Sequence, residues 1–250
     1  MRKPGKSGRL LRHVEMSASW ANPVVKRLAE GDDIEGEYDG MLVVCSWPMP
    51  IAVQKQYEAF RKELEAVLPS QAYVYPASTL HCTVCTLRAF TAGKLTGDAI
   101  TEAHKRWQVV LEAARASPDW PAGAFKLLMR APSLEGAAGI FHYSDVDGAI
   151  EKMRTCIRAA IKEAGGLAAE GGKDRSKAKA LPGSPAKDPA PHIPDIIHST
   201  AVRWSADVPD KEKALSAFKA VADKWSPIEI SVTAAAAVDE SVPFMHIRRG

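Results

Sequence analysis

The sequence predicts an α/β chain built as two similar lobes, and three observations carry that reading. Short apolar strands alternate with amphipathic helices from residue 41 onward, the order of elements repeats after Gly139, and one three-residue pattern recurs at the same place in both halves.

Met41 to Ser46 reads as a strand. Residues 51 to 68 follow as a helix, because Val53, Tyr57, Phe60, Leu64 and Val67 recur at steps of four and three and so share one face. Leu80 to Leu87 is the next strand. A second helix covers about 98 to 116, with Ile100, Ala103, Trp107, Val110 and Ala114 on one side. Phe125 to Arg130 and Gly139 to Tyr143 are further strands, the first introduced by a turn containing Pro121 and Gly123. A third helix, about 145 to 164, carries Val146, Ile150, Met153, Ile157 and Ile161 on one stripe, with Ser144 and Asp147 set as a capping box. Ile196 to Trp204 is a strand, about 209 to 225 a helix through Leu215, Phe218, Val221 and Trp225, and Ile228 to Ala234 and Phe244 to Arg248 are closing strands.

Two stretches lie outside this regular pattern. Residues 1 to 40 form an N-terminal extension whose start is basic, with Arg2, Lys3, Lys6, Arg9 and Arg12 and no acid among them, and it is expected to be partly disordered. Residues 165 to 191 hold no aromatic or β-branched residue. Too little apolar surface is available there to offset the entropy of ordering, so a flexible insertion is expected within a domain spanning 41 to 249.

Composition narrows the function classes. At 250 residues and 46% hydrophobic the chain can bury a core of ordinary size, and a net charge of +3 is too small to hold long nucleic acid by charge alone. A small or terminal phosphate remains compatible. Cys45, Cys82, Cys85 and Cys156 are too few and irregular for a disulfide framework, which points to a reducing intracellular compartment, the cytoplasm first. Cys82 and Cys85 form a C-x-x-C, but inside a strand and without a second pair, so they read as structural thiols rather than metal ligands. No apolar run is long enough to span a membrane, and a monomer is expected. Neither H-E-x-x-H, nor clustered aspartates, nor a phosphate-binding P-loop occurs, so two-metal and triphosphate hydrolysis have no footing, and no cofactor is expected.

The recurring pattern is histidine, any residue, threonine: His81-Cys82-Thr83 and His198-Ser199-Thr200, 117 positions apart. Alternation along a strand sets His81 beside Thr83 and His198 beside Thr200, while Cys82, Val84, Ser199 and Ala201 turn the other way, toward a helix-covered side. With nine threonines and seven histidines, chance supplies roughly 0.25 such matches, and neither copy alone outweighs an ordinary hydrogen-bonded strand histidine. The pair in matched context does. His142-Tyr143-Ser144 is a third match, but at a strand end where Ser144 reads as a helix cap.

The motif pair and element order resemble the 2H phosphoesterases, whose hallmark is two H-x-T or H-x-S motifs about a hundred residues or more apart. The resemblance covers about residues 41 to 249, and the Gly-, Lys- and Pro-rich insert before the second motif departs from the family pattern. It implies a bilobal fold with two antiparallel-rich sheets around a central cleft and helices on the outer faces. It also implies that His81, Thr83, His198 and Thr200 carry metal-independent hydrolysis of a 2′,3′-cyclic or 2′-5′ phosphodiester in an RNA terminus, oligonucleotide or cyclic nucleotide. Imidazole suits this work because its ordinary pKa of about 6.5 lets base and acid forms coexist near neutrality. Each threonine hydroxyl would steady charge on the phosphoryl oxygens.

Trp204, Tyr143 and Phe244 are candidate substrate contacts by stacking, as are Tyr73 and Tyr75, whereas Arg88 and Arg203 are expected on the face opposite the histidines. The rival readings are a module that binds nucleotides such as AMP or RNA without turnover, and a 2′-5′ RNA ligase running the reaction in reverse.

Overall fold

The computed structural model describes residues 18–171, 175–185 and 188–246; the basic run from Arg2 to Arg12 lies outside them. The strands are β1 (Gly40–Cys45), β2 (Ala72–Val74), β3 (Cys82–Arg88), β4 (Phe125–Glu135), β5 (Ala138–Asp145), β6 (Ala169–Glu170), β7 (His192–Ile193), β8 (His198–Trp204), β9 (Ile228–Val232) and β10 (Ala235–Glu240). The helices are α1 (Pro23–Glu30), α2 (Ile51–Val67), α3 (Asp98–Arg115), α4 (Ala149–Glu163) and α5 (Lys211–Ala222). They form two five-stranded sheets, ordered β10-β1-β3-β7-β6 and β2-β8-β5-β4-β9, in which every pairing is antiparallel except β6 with β7.

The expected α/β, two-sheet architecture is what the chain adopts, but each lobe draws on both halves of the sequence. β2 precedes the first motif strand and yet pairs with β8, whereas β7 precedes the second and pairs with β3. Helices follow the same exchange, α2 packing on α5 and α3 on α4. Such crossing ties the two motif strands together, because each is flanked by a strand that leads into the other.

The main core runs between the sheets and helices, and a smaller cluster of Leu42, Val44 and Met245 lies apart from it. Phe60 of α2, Phe141 of β5, Phe218 of α5 and the following Trp225 meet edge-on or tilted, with Phe141 and Trp225 centred 4.6 Å apart and Phe60 and Phe141 5.3 Å apart. This geometry sets the positive ring edge against a neighbour's negative face. Gly139 admits the cluster to β5, since a Cβ there would lie 2.7 Å from Phe218.

Several boundaries differ from the sequence expectation for identifiable reasons. α4 starts at Ala149, because Asp145 rather than Ser144 accepts the backbone N–H groups of Ala149, Ile150 and Glu151; Val146 lies before the helix and is exposed. Asp147 instead accepts the backbone N–H of Lys126. Residues expected as a closing strand from Phe244 form a 3₁₀ turn, Pro243–Met245, and the strand that closes the first sheet is β10. α1 lies in the segment expected to be an extension. Asn22 caps it by accepting from Val24 and Val25, and Trp20 before it stacks on Trp204 at 5.1 Å. Within the stretch expected as an insertion, β6 pairs with β7, Leu181 is buried, and Asp188 makes an ion pair at 3.0 Å with Arg88.

Candidate active site

β3 and β8 touch where the sheets meet, and the middle residues of the two motifs make the seam. Cys82 and Ser199 are buried, and Ser199 Oγ donates to the His81 carbonyl at 2.5 Å while sharing a 2.9 Å hydrogen bond with the Tyr143 hydroxyl. The alternating residues, His81, Thr83, His198 and Thr200, stay half-buried on the other side. One hydrogen bond thus holds the first motif's backbone against the second.

The His81 ring is fixed from upstream: its Nδ1 lies 2.7 Å from the carbonyl of Thr79. A carbonyl only accepts, so in neutral His81 the proton resides on Nδ1 and Nε2 keeps its lone pair. Burial lowers the pKa of both rings. His198 is brought to about 4, by burial first and then by the positive potential of His81, His142 and Arg203 at its ring.

A bulge follows each motif. Across β1, Val43 pairs with Cys85 and Val44 with Thr83, leaving Val84 extra; across β5, Gly139 pairs with Val202 and Ile140 with Thr200, leaving Ala201 extra. An extra residue reverses the alternation beyond it. Thr86 and Arg203 therefore return to the histidine side, and Trp204 turns inward. Strict alternation misassigned both residues of β8: Arg203 lies beside His198, and Trp204 is fully buried against Trp20, with no face left for a base. Tyr143 is also interior, its hydroxyl engaged by Ser199. Arg88 is no surface charge; it is buried and bonded to Asp188 and to the carbonyls of Asp39 and Gly93.

Phe244 remains at the cleft. Arg203 lies over its ring at 5.0 Å, and Tyr75 and Phe90 pack beside it at 5.8 and 5.1 Å. Tyr73 pairs with Arg203 across β2 and β8, and Tyr75 follows it, buried. Sequence reasoning missed His246. Its ring sits 4.9 Å from Tyr75 and 5.5 Å from Tyr73, Nδ1 faces the Pro243 carbonyl at 3.1 Å, and burial brings its pKa to about 4, with His81 near enough to contribute. Nothing in the residues around position 246 signals this, since the turn that delivers it depends on left-handed backbone at Phe244 and Met245.

The third H-x-S pattern lies at the end of β5, as expected, but Ser144 is not the helix cap. His142 pairs with His198 across β5 and β8 and bonds Glu135 at 2.6 Å, while Ser144 accepts from Arg130. All four cysteines are free and buried, and burial pushes the Cys85 thiol up to about 12, which makes it a poor thiolate source. Among the described residues no group of His, Cys, Asp and Glu is placed to hold a metal, and no helix is long and apolar enough to cross a membrane.

No protein-family model matches the chain, and no curated protein matches it. Among solved structures it is similar to TT0787 of Thermus thermophilus, at 15% identity over 79% of this chain and 86% of that one, with a TM-score of 0.46.

Proposed function

We propose that the chain is a metal-independent phosphodiesterase acting on 2′,3′-cyclic or 2′-5′ linkages of RNA or oligonucleotides. The observation that carries the reading is the pair of motifs on touching strands, each with its histidine and its threonine half-buried on the side away from the seam, and with the His81 ring bonded through Nδ1 to the Thr79 carbonyl. This arrangement supplies a proton acceptor, a proton donor and two hydroxyl donors around one phosphorus. One ring takes a proton from attacking water as the other gives one to the departing ribose oxygen, so the cyclic ester opens to a monoester without net proton change at the protein. Thr83 and Thr200 donate to the non-bridging oxygens.

His198 is the ring that begins neutral, because its surroundings hold its pKa near 4. The protonated partner forms most readily once substrate is bound, since a phosphodiester anion between the rings favours the charged imidazolium. Incubating the purified protein with EDTA and a panel of 2′,3′-cyclic nucleotides and short 2′-5′ and 3′-5′ oligonucleotides tests the reading. A 2′- or 3′-phosphomonoester product that disappears in His81→Ala and His198→Ala is expected. Nucleotide binding without turnover, a ligated product, or activity abolished by EDTA would overturn it.

A further inference from the structure

The third H-x-S pattern has no role in the chemistry above, yet its histidine stands directly across from His198 in the pairing of β5 with β8. Paired residues of antiparallel strands share a face, so half-buried His142, and Ser144 two residues on, lie on the same side of the second sheet as the His198 ring. β4, the next strand out, bulges at this level. Met129 pairs with Tyr143 and Pro132 with Phe141, so Arg130 and Ala131 both stand opposite His142. Arg130 is exposed and turned to the same side, where its Nε donates to Ser144 Oγ at 2.6 Å.

Both side chains are tethered at one end and free at the other. Glu135 Oε1 accepts from His142 Nε2 at 2.6 Å and from Ser133 Oγ at 3.2 Å. A carboxylate only accepts, so Nε2 carries the proton and the neutral ring presents Nδ1 as an acceptor, to which no described residue donates. Arg130 is held through Nε alone, and among the described residues neither Nη meets an acceptor. Lys126, earlier on the same side of β4, is by contrast paired with Glu229 at 2.8 Å. A ring nitrogen that accepts beside a carboxylate suits a neutral hydroxyl and repels a phosphate, whereas a guanidinium with an unused fork suits a phosphate.

Neighbouring strands lie roughly 4.8 Å apart, so the two groups stand one and two spacings out from His198, within the reach of a single nucleotide. We propose that Arg130 and His142 form a subsite for the nucleotide next to the reacting linkage, Arg130 binding its phosphodiester and His142 accepting its ribose 2′-hydroxyl, which makes the substrate an RNA strand rather than a mononucleotide. The proposal rests on the phosphodiesterase reading for the reacting linkage, and on strand register and hydrogen bonds for the subsite. Selection of ribose follows from the hydroxyl contact, because the 2′-hydroxyl is the group by which a protein tells RNA from DNA.

The test compares adenosine 2′,3′-cyclic phosphate, the dinucleotide ApA ending in the same cyclic phosphate, and that dinucleotide with a 2′-deoxy first sugar. kcat/KM is measured for the wild type and each variant, and dissociation constants are measured in the His81→Ala background, where turnover does not interfere. The wild type favours the dinucleotide over the mononucleotide by about tenfold, the worth of one charged hydrogen-bonded contact, and Arg130→Met brings that ratio close to unity. The slope of log dissociation constant against log salt for the dinucleotide falls by about 0.7 in Arg130→Met, as for one lost phosphate contact on a single strand. His142→Phe keeps a ring and loses the acceptor, so it removes the preference for ribose over deoxyribose; that ratio is taken within one variant, so any change at His198 cancels. Lys219→Met removes an equal charge from exposed α5 and leaves both ratios as in the wild type. Turnover of the mononucleotide and dinucleotide with equal kcat/KM, or an equal loss in Lys219→Met, overturns the subsite and keeps the phosphodiesterase reading. Absent turnover with Arg130-dependent binding of the dinucleotide removes that reading and keeps the subsite; absent binding of all three ligands overturns both.

Discussion

β3 and β8 solve one local problem twice. Each presents a half-buried histidine, a threonine beside it, an extra residue in the bulge that follows, and a side chain that this bulge returns to the histidine side. Their surroundings differ in charge. On β3 the returned side chain is Thr86 and the motif's inner residue is the thiol of Cys82; on β8 they are Arg203 and the hydroxyl of Ser199, with His142 directly across on β5. Burial lowers the pKa of both rings, and at His198 three positively charged or chargeable neighbours lower it further, so the field is where a functional inequality between the rings would arise.

The largest effects should come from removing what the strands share. His81→Ala and His198→Ala each lower kcat by about 10²–10⁴, the range of a lost general acid or base, and the double variant is little worse than either, because the two act as a unit. Single-turnover rates on a cyclic nucleotide check this. If one variant kept more than about a tenth of wild-type kcat, the equivalence of the motifs would fail. Thr83→Val and Thr200→Val keep shape and remove the donor, and each is expected to cost about 10²-fold in kcat with KM changed less.

pH separates the rings. Activity needs one protonated and one neutral imidazole, and in the free protein both pKa values lie below 6.5, that of His198 near 4. kcat/KM, which reports the free protein, therefore falls by up to tenfold per pH unit above about 6.5. The kcat profile reports the complex, where the bound anion favours the protonated ring, and extends to higher pH. Arg203→Met removes positive potential from His198 and raises its pKa, moving the acid limb of the profile up; Thr86→Val on β3 leaves both limbs in place.

That contrast also marks how far the sequence could be read. Strand and helix periodicities were legible, from the α2 face through Val53, Tyr57, Phe60 and Leu64 to the paired H-x-T motifs, because both are carried by local spacing. What lay beyond each bulge was not. One unpaired residue, Val84 or Ala201, reverses the side chains that follow it, with Leu87 a second extra residue on β3, and nothing in these residue types announces it, so Arg203 and Trp204 exchanged places relative to the expectation. Exchange of β2 and β7 between sheets was equally hidden, being a pairing of strands only three and two residues long whose partners are remote in sequence. His246 depends on a left-handed turn at Phe244 and Met245, which has no periodic signature.

The smallest predicted effect tests the seam itself. Ser199 is polar and 1% exposed, and its hydroxyl is the link between the two motifs, donating to the His81 carbonyl and bonded to Tyr143. Ser199→Ala leaves a buried carbonyl and a buried phenol each short of a partner, which costs about 1–3 kcal/mol in chemical unfolding. Cys82→Ser, at the corresponding place on β3, adds a hydroxyl among groups able to bond it and should cost less. Catalysis should respond in the same order but weakly, with kcat within about tenfold for Ser199→Ala, because the Thr79 carbonyl still orients the His81 ring. Equal destabilisation by both substitutions would mean that the seam is held by packing alone and that its single polar link to the first motif contributes nothing.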